Sequence, residues 1–231
     1  MKTHDYEKFA KAYANLEIAD TFYLAYRDIP ELLKKYATGK KALDYGCGGG
    51  RSTRFLKKLG FETIGVDISK DMIRESKTRD PNGEYQQIKS GELPFKNSTF
   101  DLILSAIVFL EIPSKEEIIL VSKEMKRVLK REGIIIIVTG TPESYTNDSA
   151  SFICDLPENK KLKSGDKAKV LFRGTNIVFY DYVWFDNDYR KAFKSAGVKL
   201  VETLKPMPKG NEPYPWSNTK KPHWVIYILK R

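Results

Sequence analysis

Apolar and polar positions along this chain follow two different periods. Over the first forty residues the apolar ones recur at helical spacing, with Phe9, Tyr13 and Leu16 on one face. Asp28-Ile29-Pro30-Glu31 then looks like a helix start, because a first turn has no use for the N–H that proline lacks. From Lys41 the texture changes to short apolar runs separated by amphipathic stretches. Strands are predicted over 41–45, 63–67, 85–88, 100–105 and 134–139, and helices over about 52–59, 70–78 and 115–129. Five strands alternating with helices predict a parallel sheet covered on both faces. Such sheets hold ligands beyond the carboxyl ends of their strands, where the strand order reverses.

After residue 140 the alternation stops. Residues 141–169 are polar and predict a loop. Segments 169–172 and 177–185 predict paired strands about the turn Arg173-Gly174-Thr175-Asn176. A helix over about 188–196 should end at Gly197. Two last strands, 198–204 and 224–229, flank a loop carrying Pro206, Pro208, Pro213, Pro215 and Pro222. On this reading residues 1–231 form one domain. A helical cap occupies 1–40, a ligand-binding core 41–140, and an insertion with the C-terminal strands 141–231.

Composition narrows the class. Apolar residues make up 41% of the 231, enough for a core and too many for a disordered chain. No apolar run approaches the ~20 residues of a membrane span. Met1 to Glu7 lacks the apolar segment of a secretory signal. Cys47 and Cys154 make no disulfide framework, and no Cys/His spacing predicts a metal, so the cytoplasm is the expected compartment. The formal charge of +10 raises nucleic acid as a partner. Thirty of the forty basic residues are lysine, however, scattered in pairs such as Lys34-Lys35, Lys57-Lys58 and Lys160-Lys161. Phosphate readers favour the arginine fork. The charge therefore reads first as a solvated surface, with nucleic acid kept as a second partner class.

The chemistry gathers in Ala42-Leu43-Asp44-Tyr45-Gly46-Cys47-Gly48-Gly49-Gly50-Arg51-Ser52. A strand carrying a carboxylate runs into a glycine turn that opens a helix. Glycines let the backbone turn sharply and let a ligand lie on bare peptide groups, and helix-start amides favour a carboxylate or phosphate. The dinucleotide pattern G-x-G-x-x-G is met only in part, since its third glycine falls on Arg51. Asp44 would also repel a pyrophosphate, whereas its charge suits a ligand with an ammonium group.

This segment resembles motif I of the class I S-adenosylmethionine-dependent methyltransferases of the type 11/25, small-molecule kind. Gly65-Val66-Asp67-Ile68-Ser69 resembles the second motif. Leu93-Pro94-Phe95 followed by Ser98 to Ser105 resembles the LPF stretch leading into strand four, and Arg127 to Gly133 the turn into strand five. The resemblance implies a Rossmann-like, doubly wound α/β sheet of seven strands, mostly parallel with an antiparallel last strand. It also implies a helical cap, a small β insertion after strand five, and S-adenosylmethionine as cofactor. Carried onto this chain, Gly46, Gly48 and Gly50 line the methionine end, Asp44 lies near its ammonium group, and Cys47 counts among the cofactor-binding residues as a small filler of the turn. Asp67 would accept from the ribose hydroxyls, Ile68 would pack on the adenine, Met72 is a further candidate cofactor contact, and Ser105 would sit at the tip of strand four beside the methionine moiety. Lys89-Ser90-Gly91-Glu92 departs from the family's usual Gly-Asp-Ala, and Leu110-Glu111 replaces histidines common after strand four.

The acceptor side is less constrained. The expected reaction is methyl transfer to an oxygen or nitrogen of a small molecule. The alternatives are an RNA or protein substrate, a non-catalytic binding protein, and a nicotinamide enzyme that Asp44 and Arg51 disfavour. Candidate acceptor contacts are Tyr13, Glu111, Tyr180 and Tyr182. The last two share one face of the strand over 179–185 with Trp184, while Phe179, Asp181, Val183 and Phe185 take the other. Tyr6, Phe9 and Tyr13 are expected in a lid over the cofactor. His4 and His223 are expected to be exposed, with only a minor claim as bases. No catalytic residue is assigned and oligomeric state is left open.

Overall fold

A central sheet takes its order from the alternation of strands and helices in the sequence. In this computed structural model residues 13–174, 177–214 and 221–231 are described. Seven strands stand in the order β3-β2-β1-β4-β5-β10-β9. They are β1 (Lys41–Tyr45), β2 (Glu62–Asp67), β3 (Glu84–Gln87), β4 (Phe100–Ala106), β5 (Leu129–Gly140), β9 (Lys199–Leu204) and β10 (Trp224–Lys230). The pairs from β3 through β5 are parallel, and β10 runs antiparallel to both its neighbours, β5 and β9. A second sheet of three antiparallel strands follows β5: β6 (Phe152–Ile153), β7 (Lys167–Phe172) and β8 (Val178–Tyr182).

Six α-helices lie wholly within the described residues: α1 (Asp20–Tyr26), α2 (Ile29–Tyr36), α3 (Arg51–Lys58), α4 (Lys70–Arg79), α5 (Lys115–Val128) and α6 (Asp186–Ala196). Strand alternation sorts the core into two faces. Leu102, Leu104, Ile134, Ile136, Ile226 and Ile228 pack under α1, α2 and Leu56 of α3. Leu43, Ile103, Ile135, Ile137, Val225 and Leu229 pack under α5 and α6. Both faces are buried, which explains why β5 reads as an unbroken apolar run rather than an alternating one. Among the described residues no helix is long and apolar enough to cross a membrane.

Three local expectations change. The expected loop over 141–169 carries a strand, β6, and two short 3-10 turns at Pro142–Thr146 and Pro157–Asn159. Strand β8 ends at Tyr182, so Val183, Trp184 and Phe185 leave the period-two alternation assumed for them. Tyr6 and Phe9 of the expected lid, His4, Pro215 and the turn positions Thr175 and Asn176 lie outside the described residues.

Candidate active site

The strand order reverses between β1 and β4, and the glycine turn leaves the carboxyl end of β1 at that point. The turn is built by its own backbone. Gly46 N–H and Cys47 N–H both donate to Val66 O, at 2.8 and 2.9 Å. Gly46 has φ +75°, and a Cβ there would overlap the Val108 side chain, so only glycine fits. Gly48 has φ +51°, and a Cβ there would meet nothing closer than Tyr13 Cε1 at 3.8 Å, so its bare face looks into open space.

That space is an open cleft of about 930 Å³, a volume that includes solvent at its mouth. Gly46, Cys47, Gly48, Asp67, Ile68 and Met72 line it, all brought together from the two motifs. Asp67 is held by two amides: Gly48 N–H donates to Oδ2 and Ser69 N–H to Oδ1, each at 2.8 Å. Loss of solvent around it raises its pKa against those hydrogen bonds. Ile68 is 55% exposed although apolar, and that surface forms part of the cleft wall.

Three residues expected here stand back from the cleft. Asp44 is fully buried beneath the turn, where Ser52 and Thr53 hydroxyls donate to its Oδ2 at 2.7 and 2.6 Å. Burial pushes its pKa up to about 6, and its Oδ1 has no hydrogen-bond partner. Ser52, which donates to it, lines the cleft above. Gly50 is the left-handed N-cap of α3, crowded by Tyr85, Arg54 and Ser76. Ser105 is buried with an unpartnered hydroxyl, because strand alternation points it away; Ala106, Ile107 and Val108 form the wall instead.

A second cavity, of about 480 Å³, adjoins the first across Tyr13, Ile107 and Glu111, which line both. Phe22, Tyr145, Phe152, Phe179, Asp181 and Trp224 contribute to its wall. The inward face of β8 is therefore Phe179 and Asp181, the opposite of the face expected. Tyr180 is 43% exposed, Tyr182 lies under Lys167 at 5.0 Å, and neither is among the described residues lining these two cavities. Trp184 is buried and donates from Nε1 to Ile112 O at 2.9 Å. His223 is half-buried rather than exposed, stacked on Phe152 at 5.6 Å, and burial lowers its pKa to about 3.

Two further residues around the clefts have roles that the sequence reading did not give them. Arg51 stacks over Phe22 at 4.3 Å and donates to Leu16 O and Glu17 O, tying the N-terminal segment to the start of α3. Ile107 sits at φ +65°, costly for a β-branched residue, at the border of the two cavities. Strain of ~1–3 kcal/mol of this kind persists where surrounding structure enforces it, and it clusters at functional sites. Here Ile107 N–H is fixed to Val138 O at 2.8 Å.

The residues present fit S-adenosylmethionine. A glycine face a Cβ would fill and an exposed apolar side chain, Ile68, beside the acid Asp67 meet at one cleft. Gly46, Gly48 and Ser52 would hold its amino-acid end, and Asp67 with Ile68 and Met72 its nucleoside.

Comparison with known proteins agrees. Residues 43–137 match the methyltransferase domain family. The chain is 36% identical over 162 residues to the uncharacterized protein MJ1123 of Methanocaldococcus jannaschii, covering 69% of each. It is 32% identical over 149 residues to the demethylmenaquinone methyltransferase of Bacillus pumilus, spanning 60% of this chain and 62% of that one. Among solved structures, an S-adenosylmethionine-dependent methyltransferase from Clostridium acetobutylicum superposes with a TM-score of 0.66 at 16% identity, covering 98% and 99% of the two chains. The PH0226 protein of Pyrococcus horikoshii gives 0.66 at 23%, covering 97% and 98%. At these identities the structural likeness speaks for the fold, and the sequence matches speak for the family. With the glycine turn, its acid and the reversal of strand order all in one cleft, the chain belongs to the class I S-adenosylmethionine-dependent methyltransferases.

Proposed function

We propose that this enzyme methylates an oxygen or nitrogen of a small molecule seated in the second cavity. One observation carries the reading: the two cavities share Tyr13, Ile107 and Glu111 as walls, so a group in the second faces the cofactor cleft. S-adenosylmethionine supplies an electrophilic methyl group, and the protein's task is to place a lone pair opposite it. Ile107 and Val108 set the depth of the acceptor, Tyr13 closes over the junction, and the insertion strands exclude water from the far side. The relatives named for demethylmenaquinone are consistent with a small acceptor.

The test is to supply methyl-labelled S-adenosylmethionine with a cell extract split by size. Label should pass to the low-mass filtrate and be insensitive to added salt. Label retained on RNA or protein, and falling steeply with salt as phosphate contacts are displaced, would overturn the reading.

A further inference from the structure

We propose that the acceptor is an amine, bound as its ammonium form against the aromatic wall of the second cavity and the carboxyl groups of Asp181 and Glu111. The inference rests on the small-molecule reading above and adds the chemical class.

The chain carries forty basic residues and a charge of +10, yet no lysine or arginine is among the described residues lining this cavity. Two acidic residues are. Asp181 is 9% exposed, and the Tyr145 hydroxyl donates to its Oδ2 at 3.2 Å. Glu111 stands at the border with the cofactor cleft. Both act electrostatically on Tyr13, alongside the larger and opposite effect of Arg51 from the first cavity. His223, the remaining titratable nitrogen in the wall, is held neutral by burial and adds no positive charge. Arg51, which stacks on Phe22, lines only the first cavity. Among the described residues lining this cavity, a carboxylate or phosphate acceptor would find no cationic side chain.

The aromatic wall points the same way. Phe179 meets Tyr13 edge to face at 6.0 Å and 86°, and Phe22 meets Phe152 at 5.4 Å and 78°. Aromatic side chains make up much of this wall, and an aromatic ring attracts a compact cation more than a neutral or anionic group. Aromatic faces and partly desolvated carboxyls together form an ammonium site.

The chemistry then balances within these residues. An ammonium has no lone pair, so its N–H passes one proton to the Glu111 carboxylate at the junction, leaving a neutral amine and a carboxylic acid. The nitrogen lone pair forms the new N–C bond as the methyl carbon's bond to sulfur breaks, and that electron pair stays on sulfur. The product is again an ammonium, held by Asp181 until it leaves, and Glu111 returns its proton to water. One proton is released per methyl transferred.

The probes are benzylamine, benzyl alcohol and benzoate, which share a ring and differ in charge at neutral pH. Each is titrated by ligand-observed NMR into protein saturated with S-adenosylhomocysteine, whose own binding is read by calorimetry. Benzylamine should bind about tenfold more tightly than the alcohol, and benzoate should not bind. Asp181→Asn should remove most of that preference while S-adenosylhomocysteine affinity holds, since the amide oxygen still accepts from Tyr145. Glu111→Gln should reduce the preference in the same direction. Alcohol or benzoate binding as well as the amine would overturn the amine and leave the small-molecule cavity standing. An amine preference intact in Asp181→Asn would overturn it too. No probe binding while S-adenosylhomocysteine does would overturn both readings.

Discussion

Asp44 shows how one carboxyl can be set by its surroundings. It is buried under the glycine turn with one oxygen satisfied twice and the other not at all. The folded state holds its proton more tightly than the unfolded chain, about 6 against 3.8. Its contribution to stability is therefore full below about pH 4 and lost as the pH rises through 6. Two pH units correspond to ~3 kcal/mol at most. Asp44→Asn should match the parent near pH 4 and exceed it by ~1–3 kcal/mol above pH 7, in urea denaturation of ligand-free protein. The same variant should bind S-adenosylhomocysteine more weakly at the higher pH. Stability profiles that run parallel across this window would remove Asp44 from the account. Asp67 has a double duty of another kind: it organises the turn through Gly48 and faces the cleft, so its loss disturbs both.

At the scale of elements, the insertion reaches the sheet through a reciprocal clamp on α1. Thr21 N–H donates to Ser151 Oγ at 3.3 Å, and Ser151 N–H donates to Thr21 Oγ1 at 3.0 Å. Trp224 Nε1–H adds a third bond, to Thr21 O at 2.7 Å, so α1, β10 and the approach to β6 share one residue. Thr21→Val keeps the shape and leaves the buried Ser151 amide without its acceptor, a cost of ~1–3 kcal/mol. Hydrogen exchange should quicken over 149–153 and stay unchanged in β4 and β5, because local opening is governed by the contacts that close the segment. A uniform change across the sheet would mean that the clamp supports the whole fold and not the insertion. Strand β8 makes the related point that period two divides residues into faces without saying which face is inward. Contacts with Tyr13 and Tyr145 choose Phe179 and Asp181 over the tyrosines.

For the molecule as a whole, burial separates residues that hold the fold from residues that serve the cleft. Ile136 lies in the middle of β5, fully buried, while Ile68 keeps 55% of its surface open. Ile136→Ala should lower the free energy of unfolding by ~2–5 kcal/mol, as large-to-small core changes do. Ile68→Ala should change it by less than ~0.5 kcal/mol and weaken S-adenosylhomocysteine binding measured by calorimetry. Equal stability losses at the two sites would show that Ile68 is core and not cleft.

The amino-acid sequence by itself determined the order and type of the main elements and the position of the cofactor cleft. Both follow from local physics: β-branched runs favour strands, Gly46 and Gly48 are required where φ is positive, and motifs carry their neighbours with them. Gly46, Cys47, Gly48, Asp67, Ile68 and Met72 meet in one cleft because β1 and β2 are adjacent, which a parallel sheet with short crossovers makes natural. Only the tertiary structure decided the rest. Ser105 turns away from the cleft by the phase of its strand, and Asp44 sits beneath the turn because Ser52 and Thr53 come back over it from α3. The strained Ile107, the pairing of Phe152 with Phe172, and the joining of Glu111 to Asp181 across one cavity depend on contacts between residues far apart in the chain. No local period encodes such contacts, since their energy exists only once the sheet has brought the segments together.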